Sequence, residues 1–391
     1  MLKEEALVER DAELLSKEPL WTRDFILISI ATLLIFLGFQ MLLPVLPIYS
    51  VKLGGSDAWA GMVMGVFTVS AVIMRPIAGR LIDRQGRRGI FLLGLIVIIL
   101  SVFAHNWAPT ILILLILRFI HGFGWGASST ASSTIASDII PKSRLGEGMG
   151  FFGLTGTFGM AIGPAYGLWL LKDYDFNTVF YISSGIVLVS IIIALPIKYP
   201  ILETSLETEK KGIIEKTAML PAIVMFFITM NYGSIVSFIA LYAGQKRVEN
   251  IGLFFTVYAA ALLISRPYFG RLTDRKGISS AVYPGIIFVI LSMFLIYYAN
   301  SLSTFLIAGF IYGIGFGAIQ PALLAMSVRN VSYSRRGAAN ATFYLGFDLG
   351  IGVGSVIWGI IADYFGYQTV YLLSIIPVIV VVLIYIIRSV K

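Results

Sequence analysis

Twelve apolar stretches alternate with short polar connections along the chain. They lie at roughly 25–49, 58–79, 89–106, 110–136, 147–171, 178–198, 218–243, 251–270, 280–299, 304–328, 338–362 and 367–388. Each is near the ~20 residues that a helix needs to cross the hydrocarbon core of a bilayer. Lipid offers no partner to free backbone groups, and the stretches lack the weak alternation of a closed barrel, so each predicts a spanning helix. The glycines and prolines inside them are tolerated in membrane helices. The pattern predicts an all-α integral membrane protein with twelve transmembrane helices.

One connection recurs. Arg75-Pro76-Ile77-Ala78-Gly79-Arg80-Leu81-Ile82-Asp83-Arg84-Gln85-Gly86 closes the second stretch. At an offset of 191 positions, Arg266-Pro267-Tyr268-Phe269-Gly270-Arg271-Leu272-Thr273-Asp274-Arg275-Lys276-Gly277 closes the eighth, with eight identities. The same offset carries Gly122, Gly124, Gly126 and Ala127 onto Gly313, Gly315, Gly317 and Ala318, and Ser143, Arg144 and Gly146 onto Ser334, Arg335 and Gly337. It also carries Gly159 and Gly163 onto Gly350 and Gly354. Chance recurrence of glycine does not hold one offset through separate segments. Repeats of six spans share an orientation, which predicts two six-helix halves related by a pseudo-two-fold along the membrane normal, with a substrate site between them. The expected division is a tail at 1–24, a bundle at 25–198, a linker at 199–217 and a second bundle at 218–391.

Composition agrees with a membrane protein: 58% of residues are hydrophobic and 13% charged, about half the charged share of a soluble domain. The net charge of +8 sits on alternate connections. Those after even-numbered spans carry the basic residues from Arg80 to Arg336, whereas the others hold only Lys52, Lys172, Lys246 and Arg247. The bias predicts a plasma-membrane protein with both termini and the even connections in the cytoplasm. Charge placed for topology gives no reason to expect a nucleic-acid partner. There is no cysteine, hence no disulfide or thiolate metal site. No metal-ligand cluster and no phosphate loop ending in Gly-Lys-Ser/Thr is present. An enzyme is not expected, nor a cofactor.

These residues carry a resemblance. Gly79, Asp83, Arg84, Gly86, Arg87 and Arg88 resemble the signature between spans two and three of the major facilitator superfamily. The second copy keeps Gly270, Asp274, Arg275 and Gly277 but ends in Ile278 and Ser279. Leu117-Arg118-Phe119-Ile120-His121-Gly122 is similar to the arginine helix of proton-linked members, with His121 where glutamine is more usual. Gly150, Gly159, Gly163, Pro164 and Gly167 resemble the antiporter signature of span five, short of its last glycine. Pro44 and Pro47 fit the same group, the twelve-span drug:proton antiporters. The resemblance implies the major facilitator fold and a latch, in which Asp83 meets the start of span eleven near Gly337 to Asn340 when the cytoplasmic side closes. A carboxylate at a helix N-terminus is worth ~1–2 kcal/mol when partly buried. Arg84, Arg87 and Arg88 are expected to pair with Asp138.

Candidate chemistry follows from depth. Asp348 lies ten residues into span eleven, ~15 Å deep at ~1.5 Å per residue. Other acids sit in tails, connections or near span ends. A carboxyl at that depth is usually functional and is the expected proton site; the plainer alternative is a structural hydrogen bond. Arg118 is deep in span four with His121 one turn away. It is expected to hold a substrate anion, to bias a carboxylate, or to pin carbonyls of span one or five. Deep cations are expected to be limited to Arg118 and a protonated His121, and the two histidines are too few for a cluster. Gln40, Asn231, Tyr232, Tyr312, Gln320 and Tyr344 are the polar candidates for a substrate cavity, with interhelical bonding as the alternative for each.

The expected function is proton-coupled secondary transport, driven by the proton gradient. The resemblance implies a monomeric exporter of small lipophilic or amphipathic compounds by antiport, with a lipophilic cation or neutral amphipath favoured. The alternative is transport of a polar metabolite, such as a sugar or amino-acid derivative, or of a lipid-linked substrate. The partners are then the small molecule, protons and the bilayer.

Overall fold

The computed structural model describes residues 19–141, 144–199, 214–329, 331 and 336–389. The described residues form α1 (Arg23–Lys52), α2 (Asp57–Gln85), α3 (Arg87–Ala104), α4 (Ile111–Ile139), α5 (Leu145–Asp173) and α6 (Phe176–Ala194). They continue with α7 (Met219–Gln245), α8 (Leu253–Lys276), α9 (Ser279–Tyr297), α10 (Leu302–Val328), α11 (Arg336–Leu373) and α12 (Ile375–Ser389), with no strand among them. Among the described residues ten stretches are long and apolar enough to cross a membrane; Ala339–Ile384 counts as one of them, and glycine-rich α5 is not included. The hydrophobic pattern separates its last two spans near Gly366. There α11 turns sharply at φ 79° and ψ 163°, a conformation that glycine reaches without a Cβ clash.

Local sequence sets the ends. Thr22, Thr110, Asp175 and Ser301 precede α1, α4, α6 and α10, and each side chain accepts from the backbone N–H three residues on, at 2.9 to 3.4 Å. Such caps satisfy one of the free donors of a first turn. α2 and α8 stop at Gly86 and Gly277, both at left-handed φ (91° and 85°), and these glycines are one repeat apart.

Packing follows the repeat. α1 lies on α5 as α7 lies on α11; α2 lies on α4 as α8 lies on α10. Small residues allow the approach. A Cβ on Gly163 would come 2.6 Å from Gln40 Cβ, and one on Gly354 would come 2.8 Å from Met230 Cα. Contacts between the first six and the last six helices run mainly along α2–α11, α5–α8 and α1–α7.

The α2–α11 and α5–α8 seams are closed at one end and open at the other. Starting from the end opposite Gly86, Asp57 N donates to Asp363 Oδ1, and Tyr367 Oη donates to Asp57 Oδ1. Gly61 then lies against Ser355, Gly65 against Val356 and Gly352 against Thr68. On α5–α8, Lys172 Nζ reaches Asn250 Oδ1 at 3.3 Å and Gly252 abuts Ala165. One turn beyond the deepest contacts, Gly79, Gly270 and Gly153, and Gly150 a turn further on, face open space, with no atom within 4 Å of a built Cβ. The opening is at the end carrying Gly86, Gly277 and the arginine-rich connections.

Candidate functional site

Both seams end on an arginine. Arg75, inside α2, places Nη2 2.7 Å from Asp348 Oδ2 on α11. Arg266, inside α8, donates from Nη1 to Thr157 Oγ1 on α5 at 2.5 Å and from Nη2 to Gln320 Oε1 on α10 at 2.6 Å. Arg75 and Arg266 are repeat mates, and so are Thr157 and Asp348: each pair is 191 positions apart. The four residues thus form two cross-seam contacts with matching places in the repeat. The Asp348 and Arg75 side chains stay 21% and 27% exposed, so both reach the edge of the open region. Tyr344, one turn from Asp348, lies within electrostatic reach of Arg266, Asp348 and Arg75.

This corrects the expected inventory of deep cations. Arg75 and Arg266 open the recurring motif and are absent from the deep cations expected from the sequence, Arg118 and a protonated His121. Both lie within helices and on the seams. The signal was present in the sequence: each arginine falls inside its own apolar stretch, and Asp348 has Thr157 at its repeat position.

Asp348, Arg118 and His121 are not brought together as one proton-coupling group. Arg118 is fully buried. It donates from Nε to Val63 O at 3.3 Å and from Nη2 to Met64 Sδ at 3.4 Å, meets His121 Nδ1 at 3.0 Å, and lies 4.2 Å over the Phe67 ring. The carbonyl it pins belongs to span two, not to span one or five. Aromatic and carbonyl contacts suit a desolvated guanidinium. The histidines meet as well, with the buried ring of His105 6.5 Å from that of His121. Sequence separation hid this pair, since His105 sits in the turn before α4.

The cavity candidates divide. Gln320 holds Arg266, and Tyr344 is 39% exposed. Asn231 and Tyr312 are fully buried in a packed network: Tyr312 Oη donates to Asn231 Oδ1 at 3.0 Å, and Asn231 Nδ2 donates to Ser374 O at 2.8 Å. They join helices rather than line the open region. Tyr232, Tyr258 and Tyr312 form a three-ring cluster, with centroids 5.9 to 6.1 Å apart. Gln40 is buried against Gly163, with Oε1 unpartnered. Of the span-five residues, Gly159, Gly163 and Gly167 are the surface on which α1 rests, whereas Gly150 faces open space; Pro164 lies within the helix.

Among the latch residues, Arg87 Nε donates to Asp138 Oδ2 at 2.8 Å, and Arg88 lies 5.8 Å over the Tyr199 ring. The side chains of Asp83, Arg84 and Asp274, and those of Gly337 and Ala338 at the start of α11, lie outside the described residues. Arg275 is in the last turn of α8.

The chain belongs to the Major Facilitator Superfamily, whose sequence profile matches residues 28–249 and 221–391. It is a multi-pass membrane transporter of that family. It is 26% identical over 384 residues to the multidrug resistance protein MdtG of Escherichia coli, covering 90% of this chain and 91% of that one. An uncharacterized MFS-type transporter of Methanocaldococcus jannaschii, MJ1560, is 26% identical over 370 residues, covering 90% and 94%. In fold, the chain is similar to the nucleoside transporter NupG, with a TM-score of 0.73 at 15% identity, covering 93% of this chain and 98% of that one. It is also similar to an inward-facing, occupied bacterial homolog of the human lysosomal transporter Spinster, with a TM-score of 0.78 at 16% identity, covering 93% and 96%.

Proposed function

We propose that the protein is a proton-coupled secondary transporter of small amphipathic molecules, working by alternating access between two six-helix bundles of a twelve-span fold. The observation that carries this reading is the Arg75–Asp348 pair. It sits where the α2–α11 seam stops and the open region begins. A proton taken up by Asp348 removes the ion pair and weakens the deepest α2–α11 contact. The Arg266–Thr157 contact carries no group that titrates near neutrality, so it stays. Protonation therefore changes the balance between closed and open seams, which is the differential interaction that coupling requires. With the arginine-rich connections in the cytoplasm, the open end is the inward one.

Likeness to MdtG supports export as the direction and lipophilic compounds as cargo. A second reading, transport of a polar metabolite bearing an acidic group, is favoured by Arg266. Proteoliposomes with an imposed pH gradient test the common core. Cationic dyes, neutral lipophiles, sugars and organic acids are offered in turn. Wild type is expected to concentrate at least one class, and Asp348→Asn to move it only down its gradient. Uphill transport by Asp348→Asn would end the coupling role.

A further inference from the structure

The two cross-seam arginines differ in charge balance. Arg75 has a carboxylate 2.7 Å away. Arg266 has only the neutral oxygens of Thr157 and Gln320; the Nε of each arginine is buried without a hydrogen-bond partner. Among the described residues Arg266 is in no ion pair. A guanidinium offers five donors and stays charged in proteins. Left without a counter-charge away from water, it is costly, and such a residue in a membrane segment points to function. Access exists: Arg266 is only partly buried, and a Cβ built on Gly270, one turn along α8, or on Gly153, one turn along α5, meets no atom within 4 Å. Tyr344 adds a hydroxyl within electrostatic reach of Arg266.

We propose that Arg266, with Thr157, Gln320 and Tyr344, forms the subsite for an anionic group, a carboxylate, sulfonate or phosphate, on the transported molecule. This deepens the second reading above and shares with the first only the role of Asp348.

The proposal fixes the sign of coupling. Among the described residues the charged groups at this level are Arg75 from α2, Arg266 from α8 and Asp348 itself, with the Tyr344 and Tyr258 phenols neutral. α7 presents Ala222, Phe226 and Thr229 to α11 there, none of them charged. Two cations against one carboxylate leave one net positive charge; protonating Asp348 leaves two. Proton and anion therefore strengthen each other's binding, reciprocally, and an anionic cargo travels with its proton. A cation would compete with the proton for Asp348.

The test uses the full chain in nanodiscs and three probes with one apolar body: naphthalene-2-sulfonate, the matching trimethylammonium compound and neutral naphthalene-2-methanol. Calorimetry, with empty nanodiscs subtracted, reads binding without any gradient, so its outcome is separate from that of the flux experiment. The sulfonate is expected to bind at least about tenfold more tightly than the ammonium compound, a difference of about 1.4 kcal/mol. Arg266→Gln is expected to erase that preference, whereas Arg266→Lys, which keeps a cation there, retains it. Sulfonate affinity is expected to rise as the pH is lowered in wild type and to be flat in Asp348→Asn. A preference that survives Arg266→Gln in protein of normal melting temperature overturns the subsite. So does equal binding of the three probes, or no binding by any. If Arg266→Gln does not fold, loss of the preference in Arg266→Lys overturns it as well. A sulfonate affinity indifferent to pH overturns the linkage to Asp348.

Discussion

Thr157 on α5 and Asp348 on α11 hold the same place in the two sequence repeats, and each is met by an arginine from across its seam. The geometry is shared, but one acceptor titrates and the other does not. A transporter whose halves rock about a common centre needs contacts that survive the motion and contacts that respond to a ligand. The repeat supplies both by changing one side chain. On this reading one proton per cycle follows from there being one acid at the two cross-seam positions.

That asymmetry can be measured as coupling between side chains. Arg75→Gln leaves Asp348 beside a neutral amide, and Asp348→Asn leaves Arg75 unneutralised. Each is expected to lower stability by roughly 1–3 kcal/mol, below the full cost of breaking a buried pair because both side chains retain some solvent. The double variant Arg75→Gln with Asp348→Asn is expected to cost less than the sum of the singles, with an interaction energy of about 1 kcal/mol or more. Thermal unfolding in one detergent reads all four proteins. Simple additivity would mean that the pair is not an interacting unit.

The closed end of the α2–α11 seam gives a second expectation. Asp57 at the start of α2 makes two bonds to α11: its backbone N–H donates to Asp363 Oδ1, and its Oδ1 accepts from Tyr367 Oη. Tyr367→Phe removes one donor while leaving the ring. It is expected to shift the resting population toward opening at that end by a few-fold, as loss of a net ~1 kcal/mol hydrogen bond implies. Spin-label distances between the Asp57 end of α2 and the Asp363 region of α11 would lengthen. Unchanged distributions would assign the bond to local packing only.

At the other end the loop arginines differ between repeats. Arg87 holds Asp138, while its counterpart position is Ile278. Asp83→Asn is therefore expected to favour opening at the basic end more than Asp274→Asn does. Labels on the basic ends of α2 and α11 decide it, and equal shifts in the two variants would leave the arginines without a part in the asymmetry.

The fold was legible because every span leaves its mark locally, as ~20 apolar residues bounded by polar turns. The repeat added which helices correspond. Long-range pairing was not legible in the same way. Nothing near Arg75 in the chain announces Asp348, and the Arg-Pro motif suggested a connection because it begins a basic loop. Asp348 stood out by depth alone, since a carboxyl in an apolar stretch is conspicuous. Thr157 did not, because threonine is ordinary in a membrane helix, and only its repeat position gives it away. Asn231 and Tyr312 looked like cavity residues for a similar reason: polarity within a span does not say whether the partner is a ligand or, as here, each other.

The buried histidines give the last expectation. Arg118 can only donate, so His121 Nδ1, 3.0 Å from Nη1, must accept and the proton of its neutral ring belongs on Nε2. His105 Nδ1 faces the Ser101 carbonyl at 2.5 Å, so it must donate and leave Nε2 as a lone pair. The two Nε2 atoms are therefore of opposite polarity, both buried and both without a protein partner, on rings whose centroids are 6.5 Å apart. Nitrogen-15 NMR of labelled protein is expected to show opposite tautomers, Nε2–H for His121 and Nδ1–H for His105. His121→Gln retains an acceptor for Arg118 through its amide oxygen and is expected to keep transport within about threefold of wild type. His121→Leu leaves a donor of a buried guanidinium unpaired, an expected loss of roughly 1–3 kcal/mol in stability. If Leu and Gln behave alike in both melting and transport, the Arg118–His121 bond contributes nothing to how the first repeat is held.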